Sequence, residues 1–228
     1  EITGQSWRKR SVINVVDEIE FYINNYNVHE FHIEDLNPTV DEKRIELISK
    51  EIINRGLNII WKLCAGTKAE TIKKEETIKF MAMSGCNYIS ISPESGSSSV
   101  LKSMYKSVNR EHIRWLVKTM KYYNIFSQAC FVLGYPGEND KDRIMTRQLV
   151  KELTIDGIDE IAIFVITPLP GSSIFDNFDG YDGYSELSFS PSWRKDYKTL
   201  NSFRIKLYFS FLWWKLLFNP LKIIKQPF

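Results

Sequence analysis

Hydrophobic and polar residues alternate along the first two-thirds of the chain with two periods, one typical of helices and one of strands. Residues 12 to 26 place valines, isoleucines and Tyr22 three or four positions apart between acidic side chains, which predicts an amphipathic helix. Predicted strands begin near residues 30, 58, 87, 126 and 159, and helical patterns lie between them. The gaps of 28 to 39 residues fit one strand–helix–strand step each.

The predicted strands are nearly continuous apolar segments, of which EIAIFVI is the clearest. Such strands indicate burial on both faces, as in a parallel sheet covered by helices. We therefore predict an α/β fold built on a parallel sheet. A helix precedes the first predicted strand, and in a repeating β/α unit a helix follows a strand. We expect the chain to lack the first strand of this core and to be N-terminally incomplete.

The repeating pattern stops after Gly171. Residues 176–198 are rich in Asp, Gly, Tyr and Ser and are predicted to be irregular, whereas residues 200–224 form an aromatic-rich helix candidate broken by a proline. We predict two parts. They are a β/α barrel core over residues 1–172 and an irregular linker with a C-terminal helical extension over residues 173–228.

The helical extension has two interpretations. In the first, it packs against the barrel with Trp213 and Trp214 in its core. In the second, residues 203–224 make a peripheral membrane contact, because tryptophans favour the headgroup region and lysines contact anionic lipid. The substrate class therefore stays open between a small molecule and a lipid-linked one.

Composition and charge narrow the class of protein. Hydrophobic residues make up 43% and charged residues 25% of the 228 residues, which excludes a disordered or collagen-like chain. The formal net charge of +2 gives no reason to expect nucleic acid as a partner. Three widely spaced cysteines form neither a disulfide framework nor a metal-ligand pair. No signal peptide is visible, so we expect a cytoplasmic protein, membrane-associated only if the extension contacts lipid.

Polar residues cluster where the predicted strands end, which is where parallel β/α folds bind their ligands. The small-residue loop SGSSS opens a helix and offers backbone amides, and the turn GYPGE brings backbone close to a ligand. Each segment alone also fits a plainer interpretation, a helix cap or a turn. Their order on successive strands favours a shared ligand site.

Three segments in this order, SPESGSSSVLKSMYKS, ACFVLGYPGENDKD and IAIFVITPLPGS, resemble the radical S-adenosylmethionine (radical SAM) superfamily. The resemblance extends from about Ser6 to Ser172. It is nearest to the branch with tRNA methylthiotransferases, oxygen-independent coproporphyrinogen oxidases and cobalamin-dependent enzymes. It implies a partial (β/α)6 barrel, here lacking its first strand, whose C-x3-C-x2-C loop binds a [4Fe–4S] cluster. SAM on that cluster is then cleaved to a 5′-deoxyadenosyl radical with an electron from an external donor.

The chain departs from this family where the cluster is bound. It has no C-x3-C-x2-C, and Cys64, Cys86 and Cys130 lie on or beside later strands, where small buried core residues are expected. We therefore expect the cluster cysteines to lie outside this chain and this fragment alone to be inactive. A cobalamin-binding domain, common upstream in the nearest relatives, is likewise not in this chain, so dependence on cobalamin stays open.

The resemblance also implies roles for residues at the strand ends. Glu94 is expected near the ribose or methionyl group of SAM, and Lys106 is expected to pair with its carboxylate. Glu34 and Asp35 are expected near its amino group. A helix-start glutamate, a solvated lysine and a helix-capping acidic pair are the plainer interpretations of these residues. The other predicted cofactor-binding residues, with the adenine side on the last two strands, are Ser92, Ser95, Gly134, Gly137, Glu138, Thr167 and Pro168.

Substrate contacts are predicted from strand parity. His32 and Glu34 share one face of their strand, as do Lys62 and Cys64, and any of these can face the barrel interior. His29 and His32 show no partnered cysteine or carboxylate pattern, so no classical metal site is predicted.

We interpret the chain as the catalytic core of a radical SAM enzyme that abstracts hydrogen or transfers a group. One alternative is an ordinary β/α-barrel enzyme that uses Lys62 as nucleophile and Glu94 as acid or base. The other alternative is a non-catalytic SAM-binding module that has lost its cluster.

Overall fold

The computed structural model describes residues 8–180, 183, 188 and 190–224. Ser6 and part of the linker predicted at 176–198 therefore lie outside the described residues. The strands are β1 (Glu30–Ile33), β2 (Ile60–Thr67), β3 (Cys86–Glu94), β4 (Phe126–Leu133) and β5 (Glu160–Val165). The helices are α1 (Val12–Tyr26), α2 (Glu42–Asn54), α3 (Glu75–Met83), α4 (Ser98–Ser103), α5 (Arg110–Tyr122), α6 (Asp140–Asp156), α7 (Tyr197–Phe218) and α8 (Pro220–Ile224).

Five parallel strands form one sheet in the order β1-β2-β3-β4-β5. Helices connect neighbouring strands, and right-handed crossovers in this order place all of these helices on one face of the sheet. The strands start at residues 30, 60, 86, 126 and 160, within two residues of the predicted starts. The predicted α/β fold with a parallel sheet is confirmed.

The two faces of this sheet differ in polarity. The face that packs against the helices is apolar, and Trp61, Ile89 and Phe131 on it are at most 1% exposed. The prediction of burial on both faces is wrong, because Ala162 and Phe164 of β5 lie on the other, partly exposed face. This second face, here called the open face, carries polar side chains at alternate strand positions: Glu30, His32, Glu34, Lys62, Cys64, Tyr88, Gln128 and Glu160.

Helix α7 packs against α6 and β5. Leu207, Phe211 and Trp214 on its inner side are at most 8% exposed. Trp214 thus lies in the core of this contact, as the first interpretation of the extension predicts. Trp213 is 59% exposed, so the placement of both tryptophans in the core is wrong. Neighbouring residues of a helix point about 100° apart, and two bulky neighbours therefore seldom share one buried side.

The C-terminal end of α7 is fixed at the start of β5 by a buried lysine. Lys215 is 2% exposed, and its Nζ donates to the backbone oxygen of Asp159 at 2.7 Å. Lys222 of α8 donates to Asp159 Oδ1 at 2.7 Å. Burial lowers the pKa of Lys215, against the raising effect of the Asp159 charge. Since α7 ends where β5 begins, the helix runs antiparallel to the strand.

The outer side of α7 is apolar. Ile205, Phe209, Leu212, Trp213 and Leu216 are each 46–69% exposed on it. Within the described part of the chain, no helix is long and apolar enough to span a bilayer. The peripheral membrane contact expected for this segment stays a prediction.

Candidate functional site

The open face carries a connected set of polar side chains from β3 to β5. Tyr88 Oη and Gln128 Nε2 both donate to Glu160 Oε2 at 3.1 Å. Ser90 Oγ donates to Gln128 Oε1 at 3.1 Å. Burial, followed by the Glu160 charge, raises the pKa of Tyr88, so its hydroxyl stays a donor at neutral pH. The open face therefore carries hydrogen-bond donors and acceptors in fixed orientations, which suits a polar ligand.

Glu94 ends β3 in a strained conformation. Its φ is +64°, in the left-handed region that non-glycine residues seldom adopt. The register between β3 and β4 shifts between Ile91 and Glu94, so the strand bulges here. Lys106 Nζ donates to Glu94 Oε1 at 2.6 Å, and the two side chains remain 26% and 17% exposed. Backbone strain at a paired, partly exposed charge is typical of a ligand site.

The first half of the SGSSS loop is bound to α6. Ser95 is fully buried, and its Oγ lies 3.2 Å from Thr146 Oγ1. Gly96 N donates to the same oxygen at 3.0 Å. A Cβ on Gly96 would lie 2.3 Å from the carbonyl oxygen of Met145, so glycine is needed for this approach. The Ser95 side chain thus holds the loop, and a ligand contact at this predicted site residue would involve its backbone.

Asp142 binds the second half of this loop. Its Oδ1 accepts from Ser97 Oγ and from Ser99 Oγ, the latter at 2.9 Å, while its Oδ2 accepts from Asn139 N at 3.0 Å. Asn139 and Asp142 form the capping box of α6, and Ser97 caps α4. The plainer interpretation of SGSSS as a capping cluster therefore describes these serine side chains.

Asp142→Asn is expected to lower the free energy of unfolding at neutral pH by about 1.5–3 kcal/mol, because one buried acceptor oxygen becomes an NH2 donor and the remaining hydrogen bonds lose their charge. The Ser97 hydroxyl is the main cause that holds the pKa of Asp142 below its usual 3.8. A lowered folded-state pKa stabilises the fold above the unfolded value, and this stabilisation is lost as the pH falls through the folded pKa. Urea unfolding at pH 7 and at acid pH measures both effects.

The matched control for this experiment is Asp140→Asn in the same helical turn, since the Asp140 side chain is 88% exposed. It should change the free energy of unfolding by less than about 0.5 kcal/mol. The deficit of Asp142→Asn should shrink on acidification. A deficit of the same size at both pH values would show that the Asp142 charge does not stabilise the loop.

The GYPGE turn after β4 is closed by its own glutamate. The Glu138 side chain is fully buried, and its Oε2 accepts from Gly134 N at 2.6 Å. Burial raises the pKa of Glu138 despite this bond. Gly134 and Gly137 have φ values of +78° and +85°, which favour glycine. The Gly134 amide, one of the predicted backbone contacts, is therefore used within the turn.

Arg194 joins the ends of β4 and β5 and is not among the residues predicted from the sequence. Its side chain is 5% exposed and donates to Gly134 O at 3.0 Å, to Ile166 O at 2.8 Å and to Asp196 Oδ2 at 2.7 Å. It lies in a segment without hydrophobic periodicity, so no sequence signal distinguished it from a solvated arginine.

The remaining predicted residues on β3 and β5 are spread along the strand ends. Ser92 Oγ donates to Gly66 O at 3.1 Å, which ties the end of β3 to β2. Thr167 Oγ1 donates to Ser188 O at 2.7 Å, and Pro168 is buried. Of the predicted charged residues at the carboxyl ends of the strands, the structure joins Glu94 and Lys106 directly.

Three side chains of β1 and β2 come together on the open face. One ligand atom each of His32, Glu34 and Cys64 lies within 4.8 Å of the others. His32 pairs with Lys62 in the parallel register, and this register places Glu34 opposite Cys64. The spacing along the sequence did not indicate this grouping, because the strands that carry it are about 30 residues apart. Asp35, predicted beside Glu34, is exposed beyond β1.

Comparison with known proteins identifies relatives from one superfamily. Residues 3–150 match the family model of the radical SAM superfamily. An uncharacterized methyltransferase of Pyrococcus horikoshii is 30% identical over 199 residues, which cover 87% of this chain and 41% of the relative. The chain therefore spans about two fifths of that relative's length.

Two solved structures share the fold at low sequence identity. The radical SAM methyltransferase TsrM of Kitasatospora setae, with cobalamin and a [4Fe–4S] cluster bound, superposes with a TM-score of 0.59 at 16% identity, over 70% of this chain and 30% of that one. Coproporphyrinogen III oxidase of Escherichia coli also gives a TM-score of 0.59 at 16% identity, over 88% of this chain and 45% of that one. Both support the α/β architecture.

Proposed function

Because this chain belongs to the radical SAM superfamily, we propose that it forms the SAM-binding barrel of an enzyme that transfers a methyl group. The family and the fold class predicted from the strand-end segments are confirmed. Methyl transfer is supported by the methyltransferases among the relatives and structural neighbours. The chain spans 41% of the first relative, so the proposal concerns the contribution of the barrel to that reaction.

One observation carries the proposal. Glu94 and Lys106 form a partly exposed charge pair at the carboxyl end of β3, within the residues that match the family. Ligands of parallel β/α folds bind at this end of the strands. The strained backbone of Glu94 holds the carboxylate there although glycine would adopt this conformation more readily.

The donor set at this strand end fits SAM. The Glu94 carboxylate suits ribose hydroxyls and the positive charge of a sulfonium or amino group. The Lys106 ammonium suits the methionyl carboxylate, although without the two-pronged geometry of an arginine. When bound, SAM supplies the methyl group and the radical chemistry of the family. The residues of this chain bind and orient it.

The cysteines of this chain do not fit a [4Fe–4S] cluster. Cys64, Cys86 and Cys130 lie on three different strands. Among the described residues, one group of side chains could bind a metal ion, and Cys64 is its one cysteine. We therefore derive no step of the reaction from a cluster held by these residues.

The open face gives the barrel its second role, which is to hold a substrate beside SAM. Tyr88 and Gln128 are fixed by Glu160 and present polar groups to the interior. The alternative enzyme with Lys62 and Glu94 as a working pair has less support. Lys62 binds Glu30, whereas Glu94 binds Lys106.

Glu94→Gln is expected to weaken SAM binding about 10- to 150-fold, which corresponds to about 1.5–3 kcal/mol for a hydrogen bond to a charged group. The glutamine keeps the size of the side chain and removes the charge. Calorimetric titration of SAM into the anaerobically reconstituted protein, expressed from its complete gene, measures the change. Lys106→Met should weaken binding less, because the lysine is partly exposed to water.

Glu152→Gln is the matched control, because Glu152 also binds a basic side chain, Arg110, but does so between helices. It should leave SAM affinity unchanged. Lys106→Arg should restore the binding that Lys106→Met loses. Unchanged SAM affinity in a folded Glu94→Gln protein would remove Glu94 from the site and the proposal would lose its main support.

A further inference from the structure

His32, Glu34 and Cys64, here called the β1–β2 triad, present an imidazole, a carboxylate and a thiol to one point on the open face. Their ligand atoms lie within 4.8 Å of one another. Tetrahedral zinc with ligand distances of about 2.0–2.3 Å separates its donors by roughly 3.4–3.6 Å. The donors are therefore at most about 1.4 Å too far apart, and side-chain rotation closes such a gap.

Two of the three donors have no other partner. Within the part of the chain that the structure describes, neither Glu34 nor Cys64 makes a hydrogen bond or ion pair. Cys130, the other partly exposed cysteine of the open face, differs because its Sγ lies 3.4 Å from Ser90 Oγ and 3.6 Å from Gln128 Oε1. A carboxylate and a thiol that face each other unpartnered are stabilised when a cation binds between them.

The third donor is oriented by a carboxylate behind it. His32 Nε2 lies 2.9 Å from Glu30 Oε1, and Glu30 also accepts from Lys62 Nζ. Metal-binding histidines commonly donate their second ring nitrogen to a carboxylate, which fixes the tautomer and the ring orientation. Glu30 thus acts on His32 as a positioning residue, and with Nε2 on Glu30 the ring nitrogen that would bind a metal ion is Nδ1.

We propose that the β1–β2 triad binds one divalent metal ion of the zinc class. A thiolate and an imidazole favour zinc or cobalt over magnesium or calcium. Burial, followed by the nearby Glu34 charge, raises the pKa of the Cys64 thiol, so a divalent ion binds here by displacing the thiol proton. Three protein ligands leave a fourth position open towards the barrel interior, where a water or a substrate oxygen can bind. The triad shares Glu34 with the residues expected near the amino group of SAM, whereas His32 and Cys64 have no expected SAM contact; the metal proposal does not rest on methyl transfer.

Titration of Co²⁺ into the metal-free 228-residue chain tests the site. We expect one equivalent to bind with a thiolate-to-cobalt charge-transfer absorption, and one equivalent of Zn²⁺ to remove that absorption. Cys64→Ser should abolish the charge-transfer band. His32→Ala and Glu34→Gln should each weaken cobalt binding at least tenfold. Glu30→Gln should weaken it about 10- to 100-fold, the usual effect of a residue that orients a ligand.

Three matched variants keep the result specific. Cys130→Ser on β4, His29→Ala just before β1 and Asp35→Asn just after β1 change a cysteine, a histidine and an acidic residue outside the triad. Each should bind cobalt like the original chain. Circular dichroism verifies that every variant is folded, which is expected because the triad is partly exposed. A missing charge-transfer band, a band that persists in folded Cys64→Ser, or equal losses in the matched variants would overturn the proposal.

Discussion

Residues 1–228, reconstituted anaerobically with iron and sulfide, are expected to hold no stoichiometric [4Fe–4S] cluster. Such a cluster requires three thiolates at one place. Cys64 on β2 and Cys130 on β4 are two strand spacings apart, roughly 10 Å. Cys86 is 3% exposed, and its Sγ donates to the backbone oxygen of Tyr88. Burial raises the pKa of Cys64, Cys86 and Cys130 alike, so the pKa values do not single out any of them and the separation of the three sulfurs is what excludes a shared cluster.

Visible absorbance, together with iron and acid-labile sulfide analysis, measures this outcome. The protein expressed from its complete gene, reconstituted in parallel, is the comparison sample. The β1–β2 triad is expected to bind a metal ion without sulfide, so iron uptake alone does not count as a cluster. Four irons and four sulfides per 228-residue chain, lost in the variant with all three cysteines changed to serine, would prove the geometric argument wrong.

The positions of the strands and the fold class were predictable because they depend on local patterns. Apolar segments about 30 residues apart fix where buried strands lie, and helix-ending glycines such as Gly157 mark where helices stop. The segment around Glu94 was identified for the same reason: its small residues follow a strand directly. Structural features whose residues lie within about ten positions of one another can be predicted from a sequence.

The polarity of the open face was not predictable in the same way. In β5, Ala162 and Phe164 are apolar residues on the partly exposed face, so the strand looks continuous although its two faces differ. The β1–β2 triad depends on the register between two strands, and hydrophobic periodicity shows which side chains share a face but not which residues of two strands lie opposite one another. Bulges add to this difficulty: the pairing shifts between Leu63 and Thr67 of β2.

The role of small polar residues was also ambiguous. The sequence allowed SGSSS to be a ligand loop or a capping cluster, and these options differ in where each hydroxyl points. The structure shows that Ser95 and Ser97 are buried against α6, a helix that starts more than 40 residues later. Long-range packing of this kind follows from the tertiary fold, and it leaves Glu94 as the charged side chain of this segment that stays partly exposed at the strand end.

Arg194→Met is expected to lower the free energy of unfolding by about 3 kcal/mol. The buried guanidinium donates to Gly134 O and to Ile166 O, and methionine leaves both carbonyl groups without this donor. Hydrogen bonds from a charged group are worth about 1.5–3 kcal/mol each before relaxation and water entry reduce the loss. Urea denaturation followed by circular dichroism measures the change.

Two further variants separate the Arg194 hydrogen bonds from a general effect of charge. Lys195→Met removes the neighbouring positive charge, but the Lys195 side chain is 88% exposed, so the free energy of unfolding should change by less than about 0.5 kcal/mol. Arg194→Lys keeps the charge and has a single ammonium in place of the planar fork, so it should recover only part of the loss. If Arg194→Met and Lys195→Met are equally stable, the ends of β4 and β5 do not depend on this arginine. A large loss that Arg194→Lys only partly recovers would show that the fork itself holds them together.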